Sequence, residues 1–227
     1  MTSLDFEREA GCGAIGIDEA GRGPLAGGVF AGAVHLPLAA AERLASGAWR
    51  EIDDSKKLTP ARRERLAATI KATPECVWAV ASATPEEIDR LNILNATHLA
   101  MRRAAERVLA RMPPAAAAAA FALVDGLPVR GLPCPSKSIV KGDSKSLLVA
   151  AASILAKTAR DADCLRLDKL YPQYGFARHK GYPVKRHLAA LAEHGATPEH
   201  RRSFAPVAAA IAAKEAAATA DAARQET

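Results

Sequence analysis

Residues 14–28 read AIGIDEAGRGPLAGG, and this stretch decides how the rest of the chain is read. A short apolar run ends in two adjacent carboxylates, Asp18 and Glu19, and glycines follow at once. Residues 27–36, GGVFAGAVHL, then alternate small and β-branched side chains up to Pro37. The pattern predicts two strands joined by a tight, glycine-dependent connection. The glycines run G-x-G-x-x-x-G, which is neither a dinucleotide fingerprint nor a P-loop, and in a Rossmann unit the acid follows the glycines by about twenty residues. Adjacent carboxylates can serve one site only where a strand ends and the chain turns, and two anions held that close need a cation. Hard divalent ions such as Mg²⁺ or Mn²⁺ take oxygen ligands of this kind. An ordinary turn is the competing reading of this stretch taken alone.

Working outward, Thr59 and Pro60 supply an N-cap and a first helical residue for a helix over 60–71. Residues 75–83 read as a strand, Thr84 opens a further helix, and another runs from about Asn95 to Arg111 before Pro113 and Pro114 stop it. The alanine run 115–120 flows into FALVDG, a buried strand ending at Asp125. A short strand over 138–141 precedes a long helix from about Lys145 to Leu170. Strands first, then strands alternating with helices, predict an α/β layer fold around a mixed sheet. Asp125 would be a third carboxylate at a neighbouring strand end, although such a residue alone is more often part of a turn. Asp161 has Lys157 at i−4, an ordinary surface pair by default, but it shares a helix face with Ala150, Ser153 and Ile154 and is expected to point inward.

The composition fits one domain. Of 227 residues, 49% are hydrophobic, but 53 residues are alanine, so the core is adequate and not rich. The net charge of +6 is uneven: residues 1–54 hold four Lys/Arg against nine Asp/Glu, while residues 55–227 hold 27 against 16. A basic body around an acidic segment suits a polyanionic partner held near clustered carboxylates. The four cysteines lack metal-ligand spacing. No apolar stretch is long enough to span a membrane, and the acidic N-terminus is unlike an export signal, so a cytoplasmic protein is expected. The tail 207–227, with 11 alanines in 21 residues, is expected to be a frayed helix or disordered beyond a domain of residues 1–206.

Seven ordered motifs make the chain recognisable: GIDEAGRGPLAG at 16–27, DDSKKL at 53–58, LNILNAT at 91–97, LVDG at 123–126, AAASILAKTARD at 150–161, YGFARHKGYP at 174–183 and RRSFAPV at 201–207. With these the chain resembles ribonuclease HII, the type 2 ribonuclease H family. The resemblance implies a ribonuclease H-like fold with a C-terminal helical extension, and an endoribonuclease that hydrolyses the RNA strand of RNA:DNA hybrids. It implies a cut 5′ to single ribonucleotides embedded in duplex DNA, by two-metal-ion hydrolysis with Mg²⁺ or Mn²⁺, leaving 3′-hydroxyl and 5′-phosphate ends. The family's acidic quartet falls on Asp18, Glu19, Asp125 and Asp161. Gly21, Arg22 and Gly23 match its ribonucleotide-sensing loop, Tyr182 matches the tyrosine that stacks on the neighbouring sugar, and Lys56 and Lys180 would meet phosphates. The expected partner is nucleic acid and the expected state a monomer. Val184 stands where the family usually has Thr, and Gly28 where Pro is common. Another nuclease of the same superfold, or a binding module that has lost catalysis, are the alternatives; retention of all four named carboxylates argues against the second.

Overall fold

The computed structural model describes residues 2–225. Five strands carry the fold: β1 (Gly13–Ala20), β2 (Val29–His35), β3 (Val77–Ala83), β4 (Ala120–Asp125) and β5 (Ser136–Ile139). They form one sheet in the order β3-β2-β1-β4-β5, with β1 antiparallel to β2 and parallel to β4. The helices are α1 (Asp5–Ala10), α2 (Leu38–Ala45), α3 (Pro60–Ala72), α4 (Pro85–Leu91), α5 (Ile93–Leu109), α6 (Pro114–Ala118), α7 (Leu147–Leu170), α8 (Phe176–His179), α9 (Lys185–His194) and α10 (Ala205–Gln225).

Both faces of the sheet are covered, as a parallel core pair requires. On one face Ile15, Ile17, Val29 and Val124 pack with α5 residues Ala100, Met101 and Ala104. On the other, α7 lies directly on the strands. A Cβ on Gly16 would stand 2.2 Å from the Leu148 backbone, and one on Gly32 would stand 2.3 Å from the Ala152 carbonyl. These two positions therefore admit only glycine, and their bare backbones set how closely α7 approaches. Side chains on a strand alternate between faces, so Asp18, two residues beyond Gly16, shares the α7 face. Asp125 does too, because Leu123 on the same strand packs with Val149 of α7.

The sequence places α3, α4, α5 and α7 within two residues of their observed starts. At α4 the capping box is complete, with Glu87 N donating to Thr84 Oγ1 and Thr84 N to Glu87 Oε2. The expected strand at 138–141 lies two residues earlier. Residues 115–120 do not all feed the following strand: Pro113 and Pro114 pre-set the backbone for the short helix α6, and β4 begins at Ala120. The connection from β1 to β2 spans residues 21–28, longer than a tight turn, with Gly21 at φ +98° and Gly27 at +80°. Helix α10 carries the alanine-rich tail to Gln225 and packs Val207 against Leu25 and Leu191; residues 226–227 lie outside the described residues.

Candidate active site

Parallel pairing of β1 with β4 aligns Ile17 with Val124 and so brings the strand ends at Asp18 and Asp125 side by side. Asp18 is buried, and its Oδ1 accepts from the N–H of Glu19 at 2.7 Å. Burial, then the charges of Glu19 and Asp125, push its carboxyl well above the ordinary range. Burial raises Glu19 as well, against the pull of Arg22, whose guanidinium stands 3.5 Å away.

A carboxylate outside the expected quartet joins this group. Asp125 Oδ1 accepts from Gly142 N at 2.6 Å, which fastens the 3₁₀ turn Gly142–Ser144 to the end of β4. That turn buries Asp143, whose carboxyl is raised by burial and by Asp125 and Asp54. Lys56 Nζ lies 3.5 Å from Asp143. Although burial works against its charge, Asp143, Asp18, Asp54 and Asp125 together raise its pKa. Around Asp143 the sequence offers only Gly142 and Ser146, the N-cap of α7; the left-handed backbone of Lys141 is seen only in the fold.

Asp161 stands elsewhere. Fourteen residues, about 21 Å of helix, separate it from Leu147 at the start of α7. Lys157 Nζ lies 2.6 Å from its Oδ1 and Arg63 Nη2 lies 3.3 Å from its Oδ2. The i−4 ion pair is therefore present, and the inward side of the residue is met by Arg63, a buried cation that also donates to the carbonyls of Ser55 and Leu58. With Lys180, these residues line a cavity of about 410 Å³ of their own.

The loop after Glu19 is held from below. Arg201 is fully buried and donates to the carbonyls of Gly21, Arg22, Gly27 and Gly28 at 2.6–3.2 Å. Burial and the nearby Arg160 lower its pKa to about 9, which leaves it charged at neutral pH. Arg160, also buried, donates to Ala26 and Lys180 carbonyls, and a Cβ on Gly21 would stand 2.9 Å from its Nε. The ring of Tyr182 lies over the same loop, where a Cβ on Gly23 would come within 3.2 Å of Tyr182 Cε1, and nearly half of that residue remains exposed. The structure thus brings Gly21, Arg22, Gly23 and Tyr182 together beside Asp18 and Glu19. Sequence reasoning did not assign roles to Arg160 and Arg201. Both lie inside recognisable motifs, but a buried arginine cannot be told from a phosphate-binding one by type.

Donors that are all carboxylate oxygens, crowded enough that burial and neighbouring charge raise Asp18, Glu19 and Asp143, fit hard divalent ions. Among the described residues no three His, Cys, Asp or Glu side chains close into a ready-made metal cage. No helix among the described residues is long and apolar enough to cross a membrane.

A mixed sheet in the order 3-2-1-4-5, with acidic residues at the ends of its central parallel pair and α7 laid across one face, places the molecule in the ribonuclease H-like class. The ribonuclease HII family profile matches residues 15–207, and the chain belongs to that family. It is 53% identical over 203 residues to ribonuclease HII of Chromobacterium violaceum, covering 89% of this chain and 95% of the relative. It is 55% identical over 195 residues to that of Laribacter hongkongensis, covering 85% and 90%. Among solved structures it is similar to ribonuclease H2 of Pyrococcus horikoshii, with TM-score 0.69, 27% identity and coverage of 87% and 96%. It is also similar to the RNase HII of Archaeoglobus fulgidus, solved as a complex with PCNA, with TM-score 0.63, 28% identity and coverage of 83% and 92%. Its fold matches Bst-RNase HIII, solved in complex with Mn²⁺, with TM-score 0.69, 18% identity and coverage of 93% and 73%. The protein is a metal-dependent endonuclease of the ribonuclease H type, acting on the RNA of RNA:DNA hybrids.

Proposed function

We propose that this enzyme cuts duplex DNA on the 5′ side of an embedded single ribonucleotide, leaving a 3′-hydroxyl and a 5′-phosphate. The observation that carries the reading is the ring of Tyr182 lying over Gly23, one residue from Arg22 and four from Glu19. A 2′-hydroxyl distinguishes ribose from deoxyribose. The glycines expose backbone groups to the sugar, Arg22 can meet a phosphate, and Tyr182 offers a flat face to the sugar that follows.

Asp18, Glu19 and Asp125 are proposed as the catalytic metal-holding carboxylates, with Asp143 as the fourth. Its burial and its charge coupling to Asp125 support that choice, whereas the carboxylate of Asp161 is already engaged by Lys157 and Arg63. Two divalent ions, Mg²⁺ or Mn²⁺, would supply charge neutralisation for both the attacking and the departing oxygen. The protein's part is to gather the carboxylates at adjoining strand ends, exclude bulk water around Asp18 and orient the scissile phosphate. Lys56 and Lys180 are proposed to meet backbone phosphates, and Asp161 to set the direction of the neighbouring cations. The setting we infer is removal of misincorporated ribonucleotides, by a monomer in the cytoplasm.

The test is a product map on a duplex containing one ribonucleotide, with Mg²⁺ and Mn²⁺ compared. Cleavage 5′ of the ribonucleotide, abolished in Asp18→Asn, is the expected result. A cut on its 3′ side overturns the assignment of Gly21, Arg22, Gly23 and Tyr182, and an active Asp18→Asn enzyme overturns the metal assignment.

A further inference from the structure

We propose that His187 and His200 form a one-way hydrogen-bond relay that positions Tyr182. The inference rests on the reading of Tyr182 as a substrate contact and adds two residues that touch no substrate.

The two imidazoles are buried and face each other, with Nε2 to Nε2 at 3.1 Å. One of those nitrogens must carry a hydrogen and the other must not, and the outer ends of the chain decide which. At one end Thr197 N, which can only donate, lies 3.0 Å from His200 Nδ1, with Thr197 Oγ1 at 2.9 Å. His200 Nδ1 is therefore the acceptor and its Nε2 carries the hydrogen. At the other end His187 Nδ1 lies 3.0 Å from the carbonyl of Tyr182, which can only accept. His187 Nδ1 is therefore the donor and its Nε2 is bare. Two independent ends demand the same direction: Thr197 to His200, His200 to His187, His187 to Tyr182.

The rings have little freedom to turn over. His179 stacks on His187 at 4.6 Å and 15°, and is itself fixed by Tyr174 O at its Nε2 and Gly181 N at its Nδ1. Tyr174 packs against His200 and Phe176 meets His187 edge-on. The carbonyl at the end of the relay also accepts from Val184 N at 2.8 Å, and Tyr182 N donates to His179 O. The backbone of Tyr182 is thus tied on both sides while its ring stays half exposed over Gly23. The neighbour of His200 is Arg201, which grips the carbonyls of Gly21 and Arg22. Two consecutive residues therefore hold the two halves of the sugar-reading surface in register, one through the relay and one directly.

The experiment uses the full chain with ¹⁵N-labelled histidine. NMR at neutral pH is expected to find His187 as the Nδ1–H tautomer and His200 as the Nε2–H tautomer; the opposite assignment at either ring overturns the relay, whatever the variants do. In kinetics on a single-ribonucleotide duplex, His200→Leu is expected to raise KM about tenfold, the effect of losing roughly one buried hydrogen bond, with kcat changed by no more than about twofold. His200→Gln, whose amide can donate to His187 Nε2, should recover most of the loss. In a His187→Asn background, where the side-chain amide can donate to Tyr182 without a partner, His200→Leu should add nothing. An unchanged KM in His200→Leu, alongside a raised KM in Tyr182→Leu, overturns the positioning role. An unchanged KM in Tyr182→Leu overturns the reading of Tyr182 instead and leaves the tautomers to judge the relay.

Discussion

Gly142 donates its N–H to Oδ1 of Asp125 at 2.6 Å, so the turn that carries Asp143 is fastened to the strand end that carries Asp125. The same strand end lies beside Asp18 through the β1–β4 pairing. Asp161 shares none of these bonds. Asp143→Asn is expected to lower kcat by roughly 10²-fold at saturating metal, the scale seen when one element of preorganised charge stabilisation is removed. Asp161→Asn should leave kcat within about threefold and instead weaken the fold, because Arg63 would keep its buried charge with only the carbonyls of Ser55 and Leu58 for company. A cost of about 1–2 kcal/mol would lower Tm by about 2–8 °C. Steady-state cleavage and a thermal melt of both variants decide the matter, and equal kcat losses would return Asp161 to the metal-holding group.

Arg201 spans four carbonyls of the loop over residues 21–28 with one planar guanidinium. Arg201→Met keeps the bulk but leaves these acceptors without their donor, at about 1–3 kcal/mol for each that stays dry. A total near 3 kcal/mol would lower Tm by about 6–12 °C. Arg201→Lys should recover only part of this, since a point charge cannot reach four acceptors lying around one plane. Calorimetry on the three proteins reads the effect directly, and a Tm unchanged in Arg201→Met would show that the loop holds its shape alone.

His200 couples folding to pH. Burial first, and then the neighbouring His187, bring its pKa down to about 4 from an ordinary 6.5. Between those values the unfolded chain takes up a proton that the folded chain refuses, so stability is complete above about pH 6.5 and falls as pH drops toward 4. The full span is worth about 3 kcal/mol. The titratable groups against it are His187 and Tyr174, with His179 stacked on His187, His194 against Tyr174 and Arg201 next in the chain. Urea titrations of the wild type and His200→Gln across pH 4–7 should show the slope shrinking in the variant; parallel curves would mean that other groups carry the acid sensitivity.

Much of this arrangement is legible in residues alone. Asp18 and Glu19 announce a strand end because glycines follow them, and Thr84 with Glu87 spells out a helix start that the backbone obeys. Asp161 is picked out by its position in a family motif and by a helix face that does point inward, yet what lies there is Arg63, nearly a hundred residues away in sequence. Local periodicity gives direction and never the partner. Asp143 has the opposite problem: its importance comes from the Asp125–Gly142 bond, a long-range contact that leaves no spacing to read. Helices α8 and α9 hide in a basic, histidine-containing segment whose pattern looks like surface, because its buried face is made of His187, Ala190 and Leu191.

The outer edge of β3 is closed by a ladder of arginines from α5 and the turn that follows it. Arg103 Nη1 donates to the carbonyl of Ser82 at 2.9 Å, Arg107 Nη1 to Val80 at 2.7 Å and Arg111 Nη1 to Trp78 at 2.9 Å. The helical step of four residues matches the strand step of two, so each successive arginine meets the next outward-facing carbonyl. β3 is a terminal strand of the sheet, and an open strand edge invites pairing with a second copy. Arg103 also pairs with Glu87, so the cleaner test is Arg107→Ser with Arg111→Ser. The two freed carbonyls can reach water, so Tm should move by no more than a few degrees. What should change is association: sedimentation velocity is expected to show a concentration-dependent shift to larger species in the double variant and none in the wild type. The single variant Arg111→Ser, which keeps the Arg107 bond to Val80, should shift less than the double variant. Identical sedimentation of all three proteins would mean that the ladder does no more than decorate the edge.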